Sequence, residues 1–178
     1  MRRLNLLAAV LALLTGACAR LPGQEVPDVR TPLVVVNEML RLAEVTADDV
    51  VYDLGSGDGR ILIAAARDRG ARGVGLEIDP VLVAQSTERA RRLGLAERLT
   101  FRLQDLLEAD LRPATVVTLY LSPDLNRRLR PKLLSELRPG SRVVSHSFDM
   151  ADWAPTRTLQ VSSNEGSHTL YLWVVPAR

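Results

Sequence analysis

Asp53 stands two residues ahead of three glycines, Gly55, Gly57 and Gly59, and a second carboxylate, Glu77, follows 18 residues after the last of them. The stretch V-V-Y-D-L-G-S-G-D-G-R, Val50 to Arg60, reads as a buried strand, a turn that only small residues can make, and the start of a helix. Glycines admit backbone torsions denied to residues with a Cβ and let a ligand lie against bare backbone. The helix that begins there offers free N–H groups. A nucleotide-like cofactor suits this arrangement, at the carboxyl end of the first strand of an open α/β sheet. Glu77 closes the second strand, where a carboxylate can accept hydrogen bonds from both hydroxyls of a ribose. No G-x-x-x-x-G-K-[ST] pattern is present, which argues against a P-loop phosphotransferase. No lysine or arginine occupies the glycine loop before Arg60, as fits a cofactor without phosphate.

The elements that must position these groups follow from periodicity and punctuation. Thr31-Pro32 opens a helix over 33–42, and strand one covers 50–54. Helix A is expected over 59–68, strand two over 71–76 and helix B from Pro80 to Leu93, closed by Gly94. Strand three spans 99–103. The apolar run 114–121 reads as strand four, buried on both faces. Ser122-Pro123 caps a helix that Pro131 should kink or divide in two. Strand five covers 142–146. Two last strands, 156–162 and 169–175, form a hairpin about the turn N-E-G-S.

At 178 residues with 47% hydrophobic content, the chain is long enough for one cored domain and too short for two. The net charge of +2 is carried by Arg2 and Arg3; without them 21 basic face 21 acidic side chains, a poor footprint for nucleic acid, and none is expected as a partner. Cys18 is the only cysteine, so there is no internal disulfide. Residues 1–19 read as a bacterial export signal or membrane anchor: a basic start, an apolar run and T-G-A-C, which resembles a lipoprotein processing site with Cys18 as the lipidated residue. Residues 20–30 read as a linker, and 31–178 as the domain. The expected location is the bacterial cell envelope or periplasm, with lipid anchoring, and the alternative is cytoplasmic or inner-membrane-associated. Nothing in the sequence speaks to oligomeric state.

Three motifs in order, Asp53-Leu54-Gly55-Ser56-Gly57-Asp58-Gly59, Gly73 to Pro80 and Gln104-Asp105-Leu106, resemble those of class I S-adenosylmethionine-dependent methyltransferases. The resemblance implies a Rossmann-like seven-stranded fold, mostly parallel, with a C-terminal antiparallel hairpin. It implies S-adenosyl-L-methionine as cofactor, with Gly55, Ser56, Gly57 and Gly59 beneath its methionine part and Asp53 near its ammonium. Glu77, with Ile78 beside it, would hold the ribose, and Asp105 and the Leu106 backbone the adenine; Asp105 as a cap for the segment behind it is the other reading. A narrower resemblance rests on Val26-Pro27, Thr31-Pro32, Val51-Tyr52-Asp53, Thr118 to Leu121 and Ser145 to Met150. These look like a small methyltransferase family whose eukaryotic members are membrane-anchored mitochondrial enzymes that modify protein lysines. The acceptor implied is a protein lysine, with a small molecule as the alternative. A non-catalytic envelope protein with a retained nucleoside pocket is a further reading, prompted by the export signal.

In this fold the end of strand four presents the acceptor, which makes Tyr120 and Ser122 the catalytic candidates. Tyr120 would flank a sulfonium or a cationic amine through its ring, or serve as core. Asp124 and Asn126 are read as helix-capping or acceptor-contacting, and Glu38 as solvated or orienting the acceptor. His146 is read as a structural, hydrogen-bonded histidine before a catalytic base. His168 has no partner at metal-ligand spacing, so no metal site is expected.

Overall fold

The computed structural model describes residues 30–177. The expected leader, Cys18 and all but the last residue of the expected linker lie outside them. The described chain runs α1 (Leu33–Leu42), β1 (Val50–Leu54), α2 (Arg60–Arg69), β2 (Arg72–Glu77), α3 (Pro80–Arg92), β3 (Leu99–Leu103), β4 (Val116–Leu119), α4 (Pro123–Glu136), β5 (Arg142–His146), β6 (Arg157–Ser163) and β7 (Gly166–Val174). One seven-stranded sheet has the order β3-β2-β1-β4-β5-β7-β6. The pairs β1–β2, β1–β4, β2–β3 and β4–β5 are parallel, whereas β5–β7 and β6–β7 are antiparallel. This is the Rossmann-like methyltransferase architecture expected, with its terminal hairpin. The winding reverses between β1 and β4, and such a switch point leaves a crevice at the carboxyl ends of the two strands.

The two faces of the sheet are covered differently. On one, α1, α2 and α3 bury Val35, Met39, Leu40, Leu62 and Ala90 with Val51 and Val116. On the other, Leu129, Leu133 and Leu137 pack with Leu54, Leu119 and Trp173. The loop before β1 is braced to the middle of the sheet by Asp49, which accepts from Thr46 N–H at 2.8 Å and Thr115 Oγ1 at 2.7 Å and pairs with Arg142.

Three features depart from expectation by more than a one-residue shift, each for a local reason. β4 is four residues long where eight were expected. Its last pairing is Leu119 with Leu54, because β1 turns away there into the glycine loop, and Pro123 shortly after has no N–H to donate. Tyr120 and Leu121 leave the ladder and face the crevice. Helix α4 is one 14-residue helix containing Pro131 rather than two short ones. The carbonyl deprived of a partner is that of Arg127, and both residues are exposed, so the lost bond is not buried and the leucine stripe stays continuous. Finally, β7 begins at Gly166, and the hairpin turn is Asn164-Glu165. Ser163 Oγ accepts the Glu165 amide at 3.0 Å and closes that turn. Among the described residues no helix is long and apolar enough to cross a membrane.

Candidate functional site

The glycine loop is stitched onto the neighbouring strand. The amides of Gly55 and Ser56 both donate to Leu76 O, at 2.9 and 3.0 Å, and Gly59 N–H donates to Ser56 O at 2.9 Å. Gly59 has φ +75, and a Cβ there would lie 2.7 Å from the Phe101 ring and 3.0 Å from Ser86. Its role in the structure is close packing of α2 against β3 and α3. Gly57, at φ +51, has nothing within 4 Å of where a Cβ would stand. That face of the loop is open toward a cavity of about 510 Å³ at the carboxyl ends of β1, β2 and β4. Of the residues singled out from sequence, Asp53, Gly55, Ser56, Gly57, Glu77, Ile78, Asp105, Leu106 and Tyr120 line this cavity. Gly59 and Ser122 do not.

Carboxylates shape the floor. Glu77 Oε2 accepts the Gly57 amide at 2.9 Å, while its Oε1 accepts those of Ile78 and Asp79 at 2.8 and 3.0 Å. An ionised carboxylate has about four acceptor positions, so one on Oε2 is left for a ligand. Asp53 is buried and accepts from Thr118 Oγ1 at 2.7 Å. Burial pushes its pKa up to about 7, with the Glu77 and Asp58 charges adding to the rise and the Thr118 hydrogen bond opposing it. Asp58, also in the lining, is held low despite the opposing effect of burial, because it is ion-paired with Arg60 and Arg89. Arg60 in turn donates to Thr31 O at 2.9 Å and fastens the start of α1 beside the loop. Ser56 lines the cavity, but its Oγ is buried without a protein partner beneath the loop, 2.7 Å from where a Gly75 Cβ would stand. At the other end Asp105 Oδ1 accepts the Leu107 amide at 2.8 Å, and Ile78 stands 72% exposed at the rim.

Tyr120, Thr31, Leu121 and Leu125 line the cavity on the β4 side, across β1 from Ile78 and Asp105, with Arg30 and Arg128 also in the lining. The Tyr120 ring lies 4.0 Å from that of His146, centroid to centroid. Ser122, by contrast, is the N-cap of α4, its hydroxyl accepting from Leu125 N–H at 3.3 Å. Asp124 is exposed and paired with Arg127, and Glu38 with Arg41 at 2.6 Å. Asn126 is buried and donates to Ser145 Oγ and the carbonyls of Phe148 and Asp149, so it holds the loop after β5.

His146 is fully buried. Its Nδ1 meets Thr31 Oγ1 at 3.2 Å and its Nε2 meets His168 Nδ1 at 2.9 Å. Burial first, then His168, pushes its pKa down to about 4, so the ring is neutral at physiological pH. The His146–His168 contact was missed from sequence. In the β5–β7 register His146 pairs with Leu170, which puts His168 diagonally opposite on the same face. Only the hairpin register could have revealed it. Among the described residues no three His, Cys, Asp or Glu side chains gather as a metal site.

Comparison with known proteins gives a consistent picture. Residues 53–157 match the ANTKMT methyltransferase domain. A protein-lysine N-methyltransferase of Saccharolobus islandicus is 42% identical over 151 residues, 84% of this chain and 94% of that protein. The adenine nucleotide translocase lysine N-methyltransferase of Mus musculus is 37% identical over 105 residues, 59% of this chain, and the match spans only 46% of the length of that relative. Among solved structures, an RNA methyltransferase from Salinibacter ruber in complex with S-adenosyl-L-homocysteine superposes with a TM-score of 0.79 at 55% identity, over 84% of this chain and 95% of that one.

Proposed function

The chain belongs to the ANTKMT methyltransferase-domain family and is an S-adenosylmethionine-dependent methyltransferase, and on that premise we propose that its acceptor is the side-chain amine of a protein lysine. The observation that carries the reading is the Tyr120 ring at the far end of the cavity, an aromatic face able to receive a cationic amine. The lysine methyltransferases among its relatives support it.

The residues present fit the cofactor: the open face of Gly57 leaves bare backbone for a closely bound ligand, and Glu77 keeps one acceptor position free. We assign Gly55, Ser56 and Gly57 to its methionine portion, with Asp53 as partner of the ammonium. Glu77 would accept from the ribose with its spare acceptor position. Asp105, Leu106 and Ile78 would meet the base. When bound, the cofactor supplies an electrophilic methyl carbon on a sulfonium. A lysine amine must reach that carbon without its proton, and a reference pKa near 10.4 makes this cost roughly 4–5 kcal/mol at neutral pH. Tyr120, Leu121 and Leu125 strip water from the incoming amine, which lowers the cost. The chain's part in catalysis is then chiefly orientation and exclusion of water.

An RNA acceptor is the second reading, favoured by the name of the Salinibacter ruber protein. Against it stands part of the charge distribution: several surface arginines are met by neighbouring carboxylates, Arg67 by Asp68, Arg91 by Glu88 and Arg112 by Asp110. Phosphate-backbone binding instead relies on basic groups free to replace counterions. The test is transfer of a labelled methyl group into a whole-cell extract, followed by separate protease and ribonuclease digestion. Label recovered as methyllysine supports the proposal, and label removed by ribonuclease alone overturns it.

From sequence alone we also propose that residues 1–19 are an export or anchoring leader with Cys18 as a lipidation site, serving a domain over 31–178. Mass spectrometry of the amino terminus checks this: a mature end at Cys18 is expected, and full-length protein recovered only from the soluble cytoplasm would contradict it.

A further inference from the structure

We propose that Thr31, His146, His168 and Ser163 form a proton path from the acceptor end of the cavity to solvent, which removes the proton the acceptor amine must shed. The inference rests on the reading of the acceptor as an amine. Its basis is continuity of contact. Thr31 lines the cavity, and its hydroxyl is 3.2 Å from His146 Nδ1. His146 Nε2 is 2.9 Å from His168 Nδ1, and His168 Nε2 is 2.8 Å from Ser163 Oγ. The first two members are buried, whereas His168 and Ser163 are half-buried on the terminal hairpin, so the chain of contacts begins at the cavity and ends at water.

The surroundings of Ser163 fit an outward direction. Its oxygen accepts the Glu165 amide at 3.0 Å, and Gly166 O stands 3.4 Å away, within reach of its hydroxyl. With the hydroxyl turned to Gly166 O, Ser163 accepts from His168 Nε2–H, which leaves His168 Nδ1 as acceptor for His146 Nε2–H and His146 Nδ1 as acceptor for the Thr31 hydroxyl. Every member then points its proton away from the cavity. An ammonium that hydrogen-bonds to Thr31 Oγ1 loses its N–H to that oxygen, and the hydroxyl proton passes to His146 Nδ1. In concert, His146 Nε2–H passes to His168 Nδ1, His168 Nε2–H passes to Ser163 Oγ, and Ser163, half-buried on the hairpin, swings its own hydroxyl proton off Gly166 O and gives it to water. One proton enters, one leaves, the amine keeps its electron pair for the methyl carbon, and both rings return to the starting tautomer before the next turnover. His146 is too weak a base to hold the proton, as its depressed pKa indicates, so it serves as a conduit. The Tyr120 ring, tilted against it with centroids 4.0 Å apart, helps keep it dry and in place. Thr31 is the catalytic residue in this scheme, and His146 and His168 act through it.

Two measurements test the path. The first needs no acceptor: nitrogen-15 NMR of the imidazoles in the full chain. Both histidines are expected as Nε2–H tautomers with a scalar coupling from His146 Nε2 to His168 Nδ1. A proton on His146 Nδ1 would overturn the path. The second is turnover against pH on a lysine acceptor. Thr31→Val and His168→Ala are expected to lower kcat at least about tenfold near neutrality, within the range for proton-transfer groups, and to leave the affinity for S-adenosylhomocysteine within about twofold. The deficit should shrink as pH rises and hydroxide takes over, and Thr31→Ser should restore most of the rate. A merely structural role would give a deficit independent of pH. Wild-type turnover on lysine with no loss in either variant refutes the path and leaves the lysine reading intact. Wild-type transfer to RNA alone refutes the lysine reading, and the path with it, whatever the NMR shows.

Discussion

Glu77 and Gly57 are joined across the mouth of the site: the carboxylate Oε2 accepts the loop amide at 2.9 Å. The residue that sequence marks as a ribose ligand is thus also the clasp that fixes the glycine loop against the end of β2. Binding and loop geometry cannot be separated at this side chain. Glu77→Ala is expected to cost about 2–5 kcal/mol of cofactor affinity, the order for breaking a partly buried charged hydrogen-bond pair. It should also lower the Tm of the ligand-free protein. Calorimetric titration with S-adenosylhomocysteine and a thermal melt without it check both effects. An unchanged melt would mean the clasp contributes nothing to the loop.

The glycines at 57 and 59 are expected to fail in different ways. At Gly59 a Cβ would collide with Phe101 and Ser86, so Gly59→Ala should destabilise the fold. At Gly57 it would meet no protein atom, so Gly57→Ala should fold at a cost of about 1 kcal/mol for its left-handed torsion. It should nevertheless lose the thermal shift induced by cofactor, because the methyl group occupies the ligand's side. Melting curves of both variants with and without S-adenosylhomocysteine distinguish the two. A full ligand shift in Gly57→Ala would move the cofactor elsewhere.

Asp53 makes stability depend on pH. Burial raises its pKa from 3.8 to about 7, so between these values the folded chain keeps a proton the unfolded chain has released. This contribution is complete below the lower value and is lost as pH rises through the upper one, by up to about 1.4 kcal/mol per unit. Denaturant unfolding of the ligand-free protein across the window should show the decline, and Asp53→Asn should flatten it. Affinity for S-adenosylhomocysteine should rise over the same window, as the carboxylate that would meet its ammonium ionises. A flat affinity profile would remove Asp53 from the methionine end.

Tyr120 is expected to matter for transfer rather than for cofactor binding. Tyr120→Ala should lower the methyl-transfer rate at least about tenfold and change cofactor affinity less than about threefold, since a contact realised mainly in the transition state appears in turnover. Tyr120→Phe keeps the ring face and its packing on His146 and should retain most of the activity. Ser122→Ala should cost about 1 kcal/mol of stability as a lost helix cap, with little effect on turnover. Steady-state kinetics with a lysine acceptor would settle the assignment, and equal rates in Tyr120→Ala would reject it.

The strand, glycine turn and helix from Val50 onward were legible in the sequence because their signals are local. Each glycine answers to a torsion or a close approach within one supersecondary unit, and each apolar run has the period of its own element. The same reasoning fixed 33–42, 50–54, 99–103 and 142–146 to the residue, and the order of the motifs pointed to the cofactor. Partners separated by many residues were not legible. His168 reaches His146 only through the β5–β7 register, and Glu77 reaches Gly57 only because β1 and β2 lie side by side. Pro131 is absorbed into α4 because it and Arg127, whose carbonyl it leaves without a donor, are exposed, and Ser122 turns to its own helix rather than to the cavity. Sequence by itself determined which backbone conformations each segment can adopt and what chemistry each side chain carries. Which side chains meet was decided by strand register and by burial, and these exist only once the whole sheet is assembled.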